Sequence, residues 1–197
     1  MHRRDFMIRA ASIAVTGFAA AGCTTSGTVT RQADKSDGTA SRRREIEAGA
    51  DATLQRLTST VPGSKELLAK ASGVLVFPRV IAAGLVVGGE HGEGVLRVRG
   101  SSQGYYSLTS VSIGLQVGAQ SKSIAFLFLT QEALDKFRGK AGWAVGVDAS
   151  VAVLKVGANG MLEAIPAATP VAAFVLTNAG LMANLTLEGT RIAPLKL

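Results

Sequence analysis

At Gly73 the spacing of apolar residues changes period, and that change restricts the fold more than the overall composition does. Upstream, Ile46, Ala50, Leu54, Leu57 and Val61 recur at steps of three and four, which predicts a helix over residues 41–60 that Pro62-Gly63 ends. Ser64 reads as the cap of a second, short helix through residue 71, with Glu66 in its first turn. Downstream, residues 74–77 and 80–87 are continuous apolar runs, compatible with strands buried on both faces. Residues 88–94, rich in glycine, have the composition of a tight turn. Residues 111–120 and 143–154 each alternate strictly, and 124–129 reads as another strand. Thr130 caps a predicted helix over residues 131–138 that Gly139 ends, and residues 171–176 and 181–188 form a hairpin across Asn178-Ala179-Gly180. Gly84, Gly114, Gly118 and Gly146, set inside strand patterns, call for bends. The expected class is α+β, with N-terminal helices packed on a strongly curved, mostly antiparallel, barrel-like sheet.

Two membrane-spanning alternatives fail on chemistry. Residues 167–185 are uncharged over nearly the length of a spanning helix, but Pro170, Asn178, Gly180 and Asn184 would leave polar groups in lipid and fit a hairpin better. A transmembrane barrel wears aromatic girdles, which two Tyr and one Trp cannot build. The expectation is therefore a soluble fold.

Charge is uneven. Residues 1–44 hold eight basic and three acidic side chains, whereas residues 45–197 hold thirteen and eleven. The folded part thus lacks the basic excess of a nucleic-acid-binding domain. Cys23 is the single cysteine and His91 the only histidine beyond the leader, so an intramolecular disulfide and sites built from several Cys or His are excluded.

Residues 1–22 read as an export signal: Arg3, Arg4 and Arg9 precede a mildly apolar run over residues 10–21, too short to span a bilayer. Ala20-Ala21-Gly22-Cys23 resembles a bacterial lipobox, with Ala20 where leucine is usual, which makes Cys23 the expected lipidation site. Arg3-Arg4-Asp5-Phe6-Met7 resembles the twin-arginine export motif, although a plain basic start for the general route fits the same residues. Residues 23–44 then form the lipidated cysteine and a polar, flexible tether, and residues 45–197 the domain. Thr24 after the cysteine favours the outer membrane by analogy with bacterial lipoproteins, whose cysteine carries acyl chains such as palmitate.

No catalytic constellation assembles, and the chain is expected not to be an enzyme and to use no cofactor or metal. Gly89-x-x-Gly92-x-Gly94 lacks the following helix that a phosphate loop needs, and Ser107 lacks the trailing glycine of a nucleophile elbow. Glu90 and Glu93 flank His91 but read as solvated turn residues. Asp148, alone among small residues, reads first as an acceptor of backbone hydrogen bonds at a bend.

The ordered segments carry a resemblance. Gly73-Val74-Leu75-Val76-Phe77-Pro78, the run from Ala83 to Gly94, Tyr106-Ser107, the run from Ser112 to Ser121, Val147-Asp148-Ala149-Ser150 and Leu187-Glu188-Gly189 are similar to the SYLF-domain family. The resemblance covers roughly residues 45–195 and implies binding of acidic phospholipids, which the family attributes to a basic, amphipathic segment at the domain's start. The matching region is residues 42–70, with Arg42, Arg43, Arg44, Arg56, Lys65 and Lys70 as candidate lipid-binding cations; Glu45, Glu47 and Asp51 dilute that basic face. Some family members regulate actin, which an exported lipoprotein would not meet. The leading expectation is a membrane-anchored envelope lipoprotein whose domain binds phospholipid. The alternatives are an envelope protein contacting a protein partner and, last, an enzyme using Glu90, Glu93 or Asp148.

Overall fold

The helical stripe Ile46, Ala50, Leu57 and Val61 is buried beneath a 32-residue helix, α1 (Val29–Thr60), with Leu54 packed beside it. The computed structural model describes residues 29–197 other than 85–86, 114–117, 158, 160, 167, 183–186 and 188; for residues 29–35, 83–87 and 112–119 only the backbone is described. Arg3, Arg4 and Cys23, with the readings of export and lipidation, lie outside these residues.

α1 starts earlier than its apolar spacing predicts. Residues 29–44, read as part of a flexible tether, are helical, and the triplet Arg42-Arg43-Arg44 lies well inside the helix rather than at its start. Packed turns supply the nucleus, and each further polar residue then adds a hydrogen bond at little cost. The same shift takes the triplet away from the unfavourable end of the helix dipole.

The second helix, α2 (Ser64–Lys70), is entered through Gly63 in the left-handed region, at φ 81°, and has no side-chain cap. Ser64 does not cap it. Its buried hydroxyl donates to the carbonyls of Leu57 (3.1 Å) and Val61 (2.7 Å), which also accept the backbone N–H groups of Val61 and Ser64, so the hydroxyl is satisfied inside the turn that joins the helices.

Among the described residues the sheet has nine strands: β1 (Gly73–Gly84), β2 (Val87–Val98), β3 (Ser101–Ile113), β4 (Gly118–Phe128), β5 (Trp143–Ala144), β6 (Val151–Val153), β7 (Val171–Thr177), β8 (Gly180–Leu181) and β9 (Arg191–Leu195). Their order is β5-β9-β3-β2-β1-β4-β7-β6, with β8 paired to β7, and only the β6–β7 pair is parallel. β3-β2-β1-β4 is a Greek key. The sheet curls into a half-barrel, so the α+β class and the curved antiparallel sheet are as expected.

Three strand readings are corrected. Residues 88–94 are not a turn; they lie inside β2, where Gly92 and Gly94 let β1 approach closely. Of the alternating run 111–120, residues 111–113 belong to β3 and 118–120 to β4, which sit at different places in the sheet; 114–117 lie outside the described residues, and Val111 is 71% exposed. The run 143–154 is likewise not one strand. Gly146, at φ 85°, turns the chain, Val147 points to solvent, and β5 and β6 end at opposite edges of the sheet. The final hairpin turns at the expected residues; among the described residues its second strand is β8, and 183–186 and 188 of the expected strand lie outside them.

The sheet has two covered faces. α1 and α2 close one, over Val76, Val95, Ala125, Leu127, Ala172 and Phe174. The other carries an aromatic cluster of Phe77, Phe126, Phe128, Phe137 and Trp143, with Tyr106 at its border; Phe137–Trp143 centroids are 5.6 Å apart. Phe137 comes from α3 (Gln131–Arg138), which begins as predicted at Thr130, whose hydroxyl oxygen accepts from the Ala133 N–H at 3.2 Å.

Candidate functional site

α1 passes over β1 where β1 is irregular. The register against β2 shifts between Val76 and Arg79, and against β4 between Phe77 and Val80. Pro78 lies in this bulge, a place in a sheet where a residue without an N–H is tolerated, and its carbonyl accepts from the Ser123 hydroxyl at 2.8 Å. Opposite it, a Cβ on Gly94 would overlap the Val76 carbonyl oxygen, and one on Gly92 would stand 2.9 Å from the Arg79 oxygen. Two glycines in β2 therefore make room for the bulge in β1. Beyond the bulge Val80 stays in the core, while Ile81 is 40% exposed on the α1 side.

This geometry opens a groove of about 670 Å³ between α1 and the bulge. Small-molecule sites commonly occupy about 300–1,000 Å³. Its lining is mostly apolar. From α1 come Arg42, Glu45, Ile46, Gly49, Ala52 and Arg56, positions that share one helix face over about 21 Å and bring charges of both signs. From the sheet come Pro78, Arg79, Ile81, His91 and Glu93. Gly49 sets the width, since its backbone runs against Pro78.

The cations of the groove differ in how they are engaged. Arg42 pairs with Glu93 through two contacts, which raise its pKa further above the ordinary guanidinium value. Arg56 donates to the Thr177 carbonyl at 3.1 Å, and His91 Nε2 is 3.9 Å from Glu93. The Arg79 side chain is exposed and makes no ion pair or hydrogen bond among the described residues.

The six candidate cations do not form one patch. Arg42 and Arg56 line the groove. Arg43 sits 5.7 Å from the centroid of the Tyr105 ring, on the β3 side, and Arg44 donates to the Ala40 carbonyl of its own helix. Lys65 and Lys70 are exposed on α2, with Lys70 at a smaller groove of about 230 Å³ beside Met161 and Leu162. Arg79 and Ile81 were not singled out from sequence. The signal that could have found them is Pro78, which interrupts two strand-like runs.

Acidic residues of the segment hold α1 down. Glu47 accepts from Arg97 Nη2 at 2.8 Å and from the Tyr105 hydroxyl at 3.0 Å, and Asp51 pairs with the same guanidinium. Burial pushes the Glu47 carboxyl up, but hydrogen bonds from Ser102, Arg97 and Tyr105 outweigh it and hold the group below its usual range. Arg97 likewise lowers Asp51.

The acids considered for catalysis are each engaged elsewhere. Glu90 pairs with Lys122 at 2.7 Å and accepts from Ser110, on the sheet face opposite Glu93. Asp148 accepts the Ala144 N–H at 2.6 Å and pairs with Lys140, and these bonds lower its pKa; it is the backbone acceptor that its position predicts. Among the described residues no group of three or more His, Cys, Asp or Glu gathers as a metal site, and no helix is long and apolar enough to cross a membrane.

Residues 109–196 match the family described as Ysc84, Las17-binding protein actin regulator. No curated protein matches the chain. The matched segment begins within β3 and runs through β9, so it contains β4 with Ser123 and ends short of nothing in the sheet's C-terminal half.

Proposed function

We propose that the chain, whose residues 109–196 match the SYLF, or Ysc84, family, is an exported lipoprotein whose domain binds anionic phospholipid. The family points to a lipid-binding or actin-related role. The observation that carries the lipid reading is the groove under α1: an apolar floor of Ile46, Ala52, Pro78 and Ile81 beside Arg42, Arg56 and Arg79. An amphiphile with an anionic head matches both parts. In this reading Cys23 carries the acyl anchor at the outer membrane and the domain is a binding module rather than an enzyme. Anchoring would hold the groove at high effective concentration beside the headgroups, so that weak affinity suffices, and each cation near an anionic surface adds about 1 kcal/mol.

The test uses the full chain with Cys23→Ser, which removes the anchor. Sedimentation with phosphatidylcholine vesicles of graded phosphatidylglycerol content, at two salt concentrations, should give binding that rises with anionic lipid and falls with salt. Absence of binding at every composition would overturn the reading. The family description also names a protein-binding role; co-purification of an envelope protein with the acylated chain, without lipid affinity of the domain, would favour that second reading.

A further inference from the structure

We propose that Arg79, carried on the β1 bulge, is the residue that binds the lipid's anionic headgroup, with the acyl stem lying along α1 over Ile46, Ala52 and Ile81. This inference rests on the lipid-binding reading above and assigns its charge recognition to one position outside the basic N-terminal segment.

The arginines of the groove differ in what they touch. Arg42 is neutralised by Glu93, which meets it with both carboxylate oxygens. Arg56 keeps its charge while donating to the neutral Thr177 carbonyl, and it stands about 10 Å along α1 from Gly49, the residue that meets the Pro78 bulge. Arg79 is paired in register with Glu93, yet Glu93 is taken by Arg42, which leaves the Arg79 guanidinium with no ion pair or hydrogen bond among the described residues.

The backbone is shaped to place it there. In a regular ladder residues alternate in facing, so Phe77 and Arg79 would share a side. The bulge removes that constraint: Phe77 and Val80 both enter the aromatic-side core, and Arg79 and Ile81 are delivered to the α1 side. A guanidinium and an exposed isoleucine thus stand next to each other at the mouth of an apolar groove. A planar fork of donors suits a phosphate or carboxylate oxygen pair, and the adjoining Ile81 and Pro78 suit the first methylenes behind it.

The probe is a water-soluble monomer, dihexanoylphosphatidylglycerol, against its zwitterionic counterpart dihexanoylphosphatidylcholine and against inorganic phosphate. These are titrated into the full chain with Cys23→Ser by calorimetry. Arg79→Gln should weaken phosphatidylglycerol binding at least tenfold and leave phosphatidylcholine binding within twofold. Arg138→Gln, a charge-matched change on α3 at the opposite face, should alter neither. Arg79→Lys should retain part of the loss, since it keeps charge without the fork. If Arg79→Gln binds phosphatidylglycerol as the parent does, the assignment to Arg79 is overturned while the lipid reading stands. If the parent binds neither lipid nor vesicles, both fall together. Inorganic phosphate binding as tightly as the lipid would overturn the lipid source of the anion.

Discussion

Gly49 of α1 and Pro78 of the β1 bulge meet so closely that a Cβ on the glycine would stand 2.8 Å from the proline Cβ. The contact fixes how near the helix lies to the sheet, and with it the width of the groove. Ala at position 49 would gain about 1 kcal/mol of helix propensity, but overpacking against a rigid ring costs about 1–3 kcal/mol. Gly49→Ala should therefore be mildly destabilising and Gly49→Val clearly so, by about 1–3 kcal/mol in urea unfolding. On the proposed lipid-binding reading, Gly49→Val should also weaken sedimentation with anionic vesicles by displacing α1.

Arg97 joins two carboxylates of α1 to β2. Its removal should cost about 1–3 kcal/mol at neutral pH, because Glu47 would remain partly buried without its charged donor. The pH dependence has a definite sign. Glu47 and Asp51 lie below their ordinary values of 4.5 and 3.8 in the folded protein. Their stabilisation is complete above those values and is lost as pH falls through the lower folded ones. Urea midpoints measured from pH 7 down to pH 3 should fall in the parent, and less steeply in Arg97→Gln. Parallel curves would show that this network does not govern acid stability.

Two glycines of β2 should respond oppositely to the same change. Gly94→Ala places a methyl group against the Val76 carbonyl, which is backbone and cannot swing aside, so a loss of about 3 kcal/mol is expected. A Cβ on Gly89 meets nothing within 4 Å, and Gly89→Ala should lie within about 0.5 kcal/mol of the parent. Equal thermal midpoints for the two variants would contradict the register of β1 on β2.

Thr130 caps the helix that carries Phe137 into the aromatic cluster. Thr130→Ala should cost about 1 kcal/mol and Thr130→Ser much less. Trp143 fluorescence reports the change directly, since its ring packs on Phe137.

Local chemistry was legible and strand placement was not. The apolar spacing of α1 and the Thr130–Gly139 bounds of α3 are set within a few residues of one another, and both were read correctly. The alternation over 111–120 records a surface with two sides, but a period of two carries no mark of where a strand stops and which neighbour it joins. Residues 88–94 misled for a related reason. Glycine is common to turns and to strands crowded by a neighbouring backbone, and only the bulge at Pro78, formed across the sheet, distinguishes the two. The groove shares that origin: its halves come from α1 and from β1–β2, and no short window of sequence contains both. The six cations of residues 42–70 were visible as charges, whereas their engagement by Glu93, Thr177 and Tyr105 depends on partners distant in the chain.

The connection between β5 and β6 acts as a bowstring. These strands are the two ends of an eight-strand path, which laid flat would hold them about 34 Å apart at the usual spacing. The chain from Ala144 to Val151 reaches at most about 25 Å even fully extended, and the Gly146 turn shortens it further. The sheet therefore has to bend for both edges to be made at once. Its arc is set by the length of a short cord, and lengthening that cord beside the exposed Val147 would relax the curve.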